Sequence, residues 1–300
     1  MKIVILGSRG GWHEAQLERA LLARGAAPIL VPVTGLTARL GDGPRLTVQG
    51  QHLDDCGAVI VRAIPGGSLE QVIFRVDALH RLARLGVPVI NSPRSIERSV
   101  DKYFTSTLLE EAGLPTPRTL VSERFDDAMA GFHELGGDVV IKPLFGAEGR
   151  GIVRVTDSDL AYRTFRALEL SRAVFYVQEY IPHGGRDIRA FVVGGRVVAA
   201  MTRSSAGWKT NLAQGGRAER IDLPPSLAAV SRRAAGLLEA DYAGVDLLQG
   251  EDGRLFVLEV NGIPGWQGLQ RTTEADIAGA IADHALEAAR RGAGTGVLRP

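Results

Sequence analysis

Three side chains near the C-terminus have the types and spacing to do chemistry: Asp246, Glu259 and Asn261. Leu255-Phe256-Val257-Leu258-Glu259-Val260-Asn261 reads as a strand. Successive side chains of a strand point to opposite faces, so Phe256, Leu258 and Val260 are expected on one face and Val257, Glu259 and Asn261 on the other. Gly244 to Leu248 reads as a second short strand, and Gln249-Gly250-Glu251-Asp252-Gly253 has the turn composition to fold the two into a hairpin. That pairing brings Asp246 beside Glu259 and Asn261. Two carboxylates and an amide, with no Cys or His among them, form a hard-oxygen site suited to Mg2+ shared with substrate phosphates. The plainer reading, polar residues on the solvent face of a hairpin, stays open here. Against it stands the apolar neighbourhood, where an uncompensated carboxylate is costly.

A phosphate cradle is the second candidate. A strand from Asp138 to Pro143 carries Lys142 near its end, and Gly146, Gly149 and Gly151 follow before Ile152 to Val155. Glycines at this density free the backbone to fold over a ligand as a lid and to aim N–H groups at phosphate oxygens. Simple turns share this composition; the nearby lysine is what makes the pattern specific. Phe175 to Ile181 reads as an apolar strand interrupted by Gln178-Glu179. Arg186 to Val193 should pair through Gly194-Gly195 with Arg196 to Met201, placing Asp187 and Arg189 on one face and Arg203 just past the second strand. Lys102 lies on a helix, where a solvated lysine is the ordinary outcome.

These residues need α/β layers to position them. Strand and helix signals alternate over the first ninety or so residues: strands at Lys2 to Leu6, Ile29 to Val33 and Ala58 to Val61, and helices at about Trp12 to Arg24 and Leu69 to Leu85. The glycines after the first strand do not follow the dinucleotide spacing, and no acid closes the next strand, so a nicotinamide site is not indicated. His13, His52 and His80 read as ordinary surface or packing residues. One helix is expected from Pro93 through Asp101-Lys102 to Gly113, others at Pro225 to Leu238 and Glu274 to Arg291, then a frayed tail.

With 300 residues, 45 % apolar and 23 % charged, the chain can build more than one core. Lys plus Arg total 35 against 34 for Asp plus Glu, so no global field favours nucleic acid or an anionic membrane. The single Cys56 excludes an internal disulfide and a cysteine zinc site, and reads as a buried structural thiol. The opening apolar run is too short for a signal peptide, and no run approaches the ~20 residues of a membrane span. A soluble cytoplasmic protein is expected.

Taken together, Asp101-Lys102, Ile141-Lys142, Gly146 to Gly151, Gln178-Glu179-Tyr180, Asp187-Ile188-Arg189, Lys209-Thr210-Asn211, Gly244-Val245-Asp246 and Glu259-Val260-Asn261 resemble, in order, the motifs of the ATP-grasp superfamily, and most closely its RimK-type α-L-glutamate ligases. The likeness extends from Met1 to about His284. It implies an α/β chain, α+β toward the C-terminus, with an ATP-grasp fold: an N-terminal pre-ATP-grasp domain (1–92), a central domain with the glycine lid (93–173), a C-terminal domain with the metal site (174–291) and a flexible tail (292–300).

The resemblance also implies roles. Lys102 and Lys142 would neutralise phosphate charge under the Gly146, Gly149 and Gly151 loop. Glu179 and Tyr180 would form the adenine hinge, Asp187 would hold the ribose, and Lys209, Thr210 and Asn211 would complete the nucleotide pocket. Asp246, Glu259 and Asn261 would hold one or two Mg2+ ions, with Mn2+ as a substitute. Arg189 and Arg203 would stabilise an acyl phosphate and the tetrahedral intermediate. The implied reaction joins L-glutamate to a small-molecule or peptide carboxylate acceptor with ATP as the driver. Core packing is the plainer reading of Trp208 and Trp266, which flank the substrate side; if they stack on a flat ring instead, a folate-like or methanopterin-like carrier is the fitting acceptor. The alternatives are a nucleotide-binding module without turnover, or a ligase for a carrier protein or ribosomal protein tail. Ligases of this type are often homo-oligomers. Departures from the family pattern are Ala147 in place of a hydroxyl residue, Lys209 in place of Arg, and Gly262 to Gln270, which lacks two acids common in relatives.

Overall fold

The computed structural model describes residues 1–146, 149–212 and 215–294. The first segment runs β1 (Lys2–Leu6), α1 (Trp12–Ala23), β2 (Ala27–Val31), β3 (Leu36–Ala38), β4 (Leu46–Val48), β5 (Gln51–His52), β6 (Ala58–Val61), α2 (Leu69–Arg84) and β7 (Val89–Ile90). Four of these strands form a parallel sheet in the order β2-β1-β6-β7. Ile3 to Leu6 and Ala58 to Val61 are fully buried, as a parallel sheet covered on both faces requires. The small antiparallel sheet β3-β4-β5 has no counterpart among the elements expected from sequence.

The second segment contains α3 (Pro93–Val100), α4 (Lys102–Glu111), β8 (Thr119–Ser122), α5 (Phe125–Glu134), β9 (Val139–Lys142), β10 (Val153–Val155), α6 (Ser158–Leu170) and β11 (Phe175–Glu179). The single helix expected through Asp101-Lys102 is two. Asp101 is extended, and its carboxylate accepts the Phe104 N–H at 3.0 Å, so it opens a new helix. Lys102 therefore stands at the first position of α4. The sheet order is β10-β9-β11-β8, and one face of it packs against α5 and α6 through Phe125, Phe132, Phe165 and Phe175. β11, beyond the boundary expected at 173, belongs to this sheet.

The last segment contains β12 (Arg186–Val193), β13 (Arg196–Ser204), β14 (Arg217–Arg220), α7 (Pro225–Leu237), β15 (Tyr242–Gln249), β16 (Leu255–Asn261), α8 (Gln267–Gln270) and α9 (Ile277–Gly294). Its antiparallel sheet runs β14-β13-β12-β15-β16. β13 continues to Ser204, so Arg203 lies within the strand rather than past it. α9 begins at Ile277, behind Asp276, whose carboxylate accepts the Gly279 N–H at 2.8 Å. It continues to Gly294, so 292–294 are helical where a tail was expected; 295–300 lie outside the described residues.

The hairpin β15-β16 has the expected pairing, Asp246 opposite Glu259 and Gly244 opposite Asn261, but the register shifts between Asp246 and Leu247. Leu258 is the extra residue of a bulge. Strict alternation therefore fails. Val257 and Val260 share one core, while Phe256 and Leu258 lie on the other side, with Leu258 and Glu259 both facing the cleft described below.

Two contacts lock the N-terminal sheet to this hairpin. Asn91, buried just after β7, donates to the carbonyls of Tyr242 and Gly262 and accepts the Tyr242 N–H at 3.0 Å. The Tyr242 hydroxyl donates to Val61 O at 2.9 Å. A single apolar core then joins Ile3, Ile5 and Ile60 to Phe191, Met201 and α9. Among the described residues, no helix is long and apolar enough to cross a membrane.

Trp266 is fully buried in that core. Its ring lies 4.6 Å from His13 and 5.9 Å from Phe191, and the Arg62 guanidinium stands 4.7 Å over it. It is a packing residue, the plainer of the two readings its sequence context allows, and not a ring-stacking substrate contact. Trp266→Ala should cost about 3–5 kcal/mol, read from the shift in denaturant midpoint. A shift below ~1 kcal/mol accompanied by weaker acceptor binding would return the stacking role to Trp266.

Candidate active site

Four charged residues alternate across one face of the C-terminal sheet. Asp187 and Arg189 lie two residues apart on β12, Arg203 faces Asp187 from β13, and Asp246 faces Arg189 from β15. Arg203 Nε and Nη2 donate to the two oxygens of Asp187 at 2.7 and 2.5 Å. Arg189 does the same to Asp246, both at 2.7 Å, and Arg203 Nη2 also lies 3.0 Å from Asp246. Burial opposes the charge on Asp246, but the two guanidinium groups outweigh it and hold its pKa below the usual carboxylate range. Burial likewise works against Arg203, and Asp246 and Asp187 more than offset it.

Asp187 also accepts the Thr210 hydroxyl at 2.7 Å. Both its oxygens are engaged and it is buried, a geometry that supports a hold on Arg203 more directly than the ribose role expected for Asp187. Arg203 is 3 % exposed, and its guanidinium is committed to Asp187 and Asp246. Arg189, half-buried, keeps access to the site. Gly244 on β15 leaves room for it: a Cβ there would sit 3.1 Å from Pro264 and 3.7 Å from Arg189 Nε.

Lysines bracket the glycine loop. Lys102 Nζ donates to Gly146 O at 2.8 Å and lies 3.7 Å from Glu259, while Lys209 Nζ donates to Ile152 O at 2.7 Å. Gly149 has φ +71°, a conformation that favours glycine, and a Cβ there would displace the Asn211 amide, whose Oδ1 would lie 2.6 Å away. Gly151 closes the loop over Pro143. Ala147 and Glu148 fall outside the described residues. Lys142 Nζ donates to Gln178 Oε1 at 2.6 Å, and burial pushes its pKa down to about 8, with Glu259 opposing and Lys102 reinforcing the shift.

One cleft collects Lys102, Lys142, Glu179, Tyr180, Asp187, Arg203, Lys209, Thr210, Asn211, Asp246 and Glu259. Gly146, Glu259 and Asn261 line an adjoining groove, so Glu259 stands at the corner between the two. At the end of β11, Glu179 accepts from Arg118 N and Nε, both at 2.8 Å, so its side chain is committed to the protein. Tyr180 carries the Arg154 guanidinium 3.5 Å over its ring. Trp208 lies 6.3 Å from Tyr180 and lines the same cleft.

The three expected metal donors meet only in part. Among the described residues, no group of three or more His, Cys, Asp or Glu is placed to hold an ion. Yet the donor set suits a hard cation: Glu259 is opposite Asp246, Asn261 lies diagonally beside them, and the Asn261 amide nitrogen is buried without a partner. The amide's two ends are interchangeable in assignment, so its oxygen serves equally. Asp246 would share oxygens already held by arginine.

Sequence reading assigned no role to Gln178, which bridges Lys142, Thr119 and Tyr176, or to His183, whose ring contacts the carbonyls of Ile181 and Trp208. A polar residue inside an apolar strand was the available signal for Gln178. Nothing local marks His183.

Residues 99–285 match the RimK-like ATP-grasp domain. The chain belongs to this family. It is 33 % identical over 298 residues to the tetrahydromethanopterin:α-L-glutamate ligase of Methanococcus maripaludis, covering 97 % of this chain and 99 % of that protein. It is 36 % identical over 244 residues to a probable α-L-glutamate ligase of Aliivibrio fischeri, covering 80 % and 79 %. Its fold superposes on the ATP-grasp ligase PsnB complexed with a minimal precursor, Mg and ADP, with TM-score 0.75, 26 % identity and coverage of 96 % and 98 %. The expected fold and ATP-dependent ligase activity are borne out, rather than the module without turnover; ATP and Mg2+ are the general requirements of this RimK-like chain.

In this RimK-like site, a triphosphate beside Lys142 favours its charged form, whereas the free site loses that proton as pH rises through about 8. ATP affinity should be level below that pH and fall above it, by up to about tenfold per pH unit. Calorimetric titration in Lys142→Met should give a flat profile, and a flat wild-type profile would refute the assignment. Asp187→Asn should lower kcat by roughly 10–100-fold with the KM for ATP within about twofold. A raised KM for ATP with kcat unchanged would restore the ribose role.

Proposed function

We propose that this chain adds L-glutamate to the terminal carboxylate of a reduced pterin carrier of the tetrahydromethanopterin type, through an acyl phosphate. The observation that carries this reading is the gathering of Lys102, Lys142 and Glu259 at one end of a cleft whose other end is the Glu179-Tyr180 hinge. The Methanococcus relative, aligned over nearly its full length, supplies the acceptor class.

A carboxylate oxygen of the acceptor attacks the γ-phosphorus of ATP, and the bond to ADP breaks. The glutamate amine then attacks the acyl carbon, loses a proton, and phosphate leaves. Lys142 and Lys102 hold the phosphates, with Lys102 and Lys209 passing from lid carbonyls to phosphate oxygens. Gly146, Gly149 and Gly151 shape the backbone cradle that excludes water. Lys209, Thr210 and Asn211 border the nucleotide, and the hinge backbone at Glu179 and Tyr180 faces the base. Arg189 is placed to stabilise the acyl phosphate and the tetrahedral intermediate, while Arg203 and Asp187 keep the site's charges in position.

Asp246, Glu259 and Asn261 would hold one or two Mg2+ ions. When bound, Mg2+ supplies the Lewis-acid clamp that neutralises charge on the transferring phosphoryl group. A cytoplasmic setting fits an ATP-consuming ligase with a reduced, buried thiol at Cys56.

Incubation with ATP, Mg2+, L-glutamate and tetrahydromethanopterin should add one or more glutamyl masses to the carrier with matching ADP release. Removing the ions with EDTA should abolish both. ADP release that never depends on glutamate, or no glutamylated carrier, would overturn the reading.

A further inference from the structure

An apolar groove of about 810 Å3 opens beside the phosphate end of the nucleotide cleft. Its walls include Val72, Ile73 and Val76 of α2, Val100 at the end of α3, Phe145 of the lid and Ile263 just past β16. Ile73 and Val100 are each 48 % exposed and Phe145 is 62 % exposed, although all three face one concavity. A patch of this kind, at this volume, has the character of a ligand site rather than of ordinary surface.

What occupies it follows from where it ends. Glu259 borders both cleft and groove, and Gly146 and Asn261 close the groove at the same corner. A molecule lying in the groove therefore reaches the reacting phosphate from the side opposite the adenine hinge, which is the approach an attacking carboxylate needs. Free glutamate is a poor occupant: it is small and carries three charges that apolar walls would desolvate. Among the described residues, the charged side chains lining the groove are Asp77, Glu97, Asp101 and Glu259, with no Lys or Arg. An acidic peptide tail would be repelled along its length.

Asp101 is occupied in capping α4, and Glu97 lies 3.1 Å from His80. Asp77, exposed on α2, has no hydrogen bond or ion pair among the described residues. It is an acceptor-only group at the wall of an apolar slot, suited to a ring edge rich in N–H donors.

We infer that this groove is the acceptor site, holding an uncharged, donor-bearing heterocycle between apolar walls. Asp77 accepts from the ring's amino or N–H groups, and the carboxylate-bearing tail extends to the Glu259-Asn261 corner. This assignment rests on the ligase reading above and adds the residues that select the acceptor.

The test is steady-state kinetics of Ile73→Asp, Val100→Asp and Asp77→Asn with the reduced pterin carrier, varying carrier, ATP and glutamate in turn. All three positions are exposed, and unchanged unfolding midpoints establish that the fold is retained. The two apolar-to-acid variants should raise the carrier KM at least about tenfold, with the KM values for ATP and glutamate within about twofold. Asp77→Asn should raise the carrier KM several-fold with kcat preserved, and should leave turnover of a ring-free carboxylate acceptor unaffected. Carrier glutamylation with an unchanged carrier KM in Ile73→Asp and Val100→Asp would overturn the groove assignment while leaving the ligase reading intact. Failure of wild-type protein to glutamylate the carrier, with a peptide acceptor turned over instead, would overturn the reading beneath it.

Discussion

The buried ladder Asp187–Arg203–Asp246–Arg189 is the constraint on which the site depends. Its charges alternate and sum to zero, so the low-polarity interior tolerates them, but each is costly if any partner is removed. Such ladders add little net stability compared with apolar packing; they specify arrangement. Here they fix the relative register of β13, β12 and β15 at one level of the sheet, and with it the direction in which Asp246 presents its carboxylate. Glu259, opposite Asp246, is turned into the cleft by the bulge at Leu258.

Around this ladder the positive charge is graded. Arg203 is enclosed, Arg189 is half-buried, and Lys102 and Lys209 hold carbonyls at either end of the glycine loop. The lysine ammonium groups are compact and mobile, suited to leave a carbonyl for a phosphate oxygen, whereas the enclosed Arg203, forked onto Asp187, is not. The division of labour between binding and positioning follows from this difference in side-chain chemistry.

The N-terminal sheet is not an appendage. Its core is continuous with that of the C-terminal sheet through Phe191, Met201 and α9, and Asn91 and Tyr242 tie β7 to β15 and to the chain just past β16. The apolar groove is a product of that docking: α2 supplies one wall, and the chain just past Asn261 supplies another. Loss of two acids between Gly262 and Gln270, read in the sequence as a departure, falls where the chain turns from the groove into the core at Trp266.

Much of this protein is legible in its sequence. Local patterning determined the strands that carry Lys142, Asp246 and Glu259, the left-handed glycines at 149 and 151 and the hairpin turns, because strand pattern and glycine conformation are properties of neighbouring residues. Ordered motifs determined the family. What only the tertiary structure decided were the partners: that Asp187 serves Arg203, that Asp246 is shared by two arginines, that Trp266 is core, and that Asp101 breaks a helix beside the lid. These depend on which side chains meet across strands far apart in sequence, where desolvation makes an unmade ion pair or hydrogen bond expensive, and no local pattern encodes that meeting.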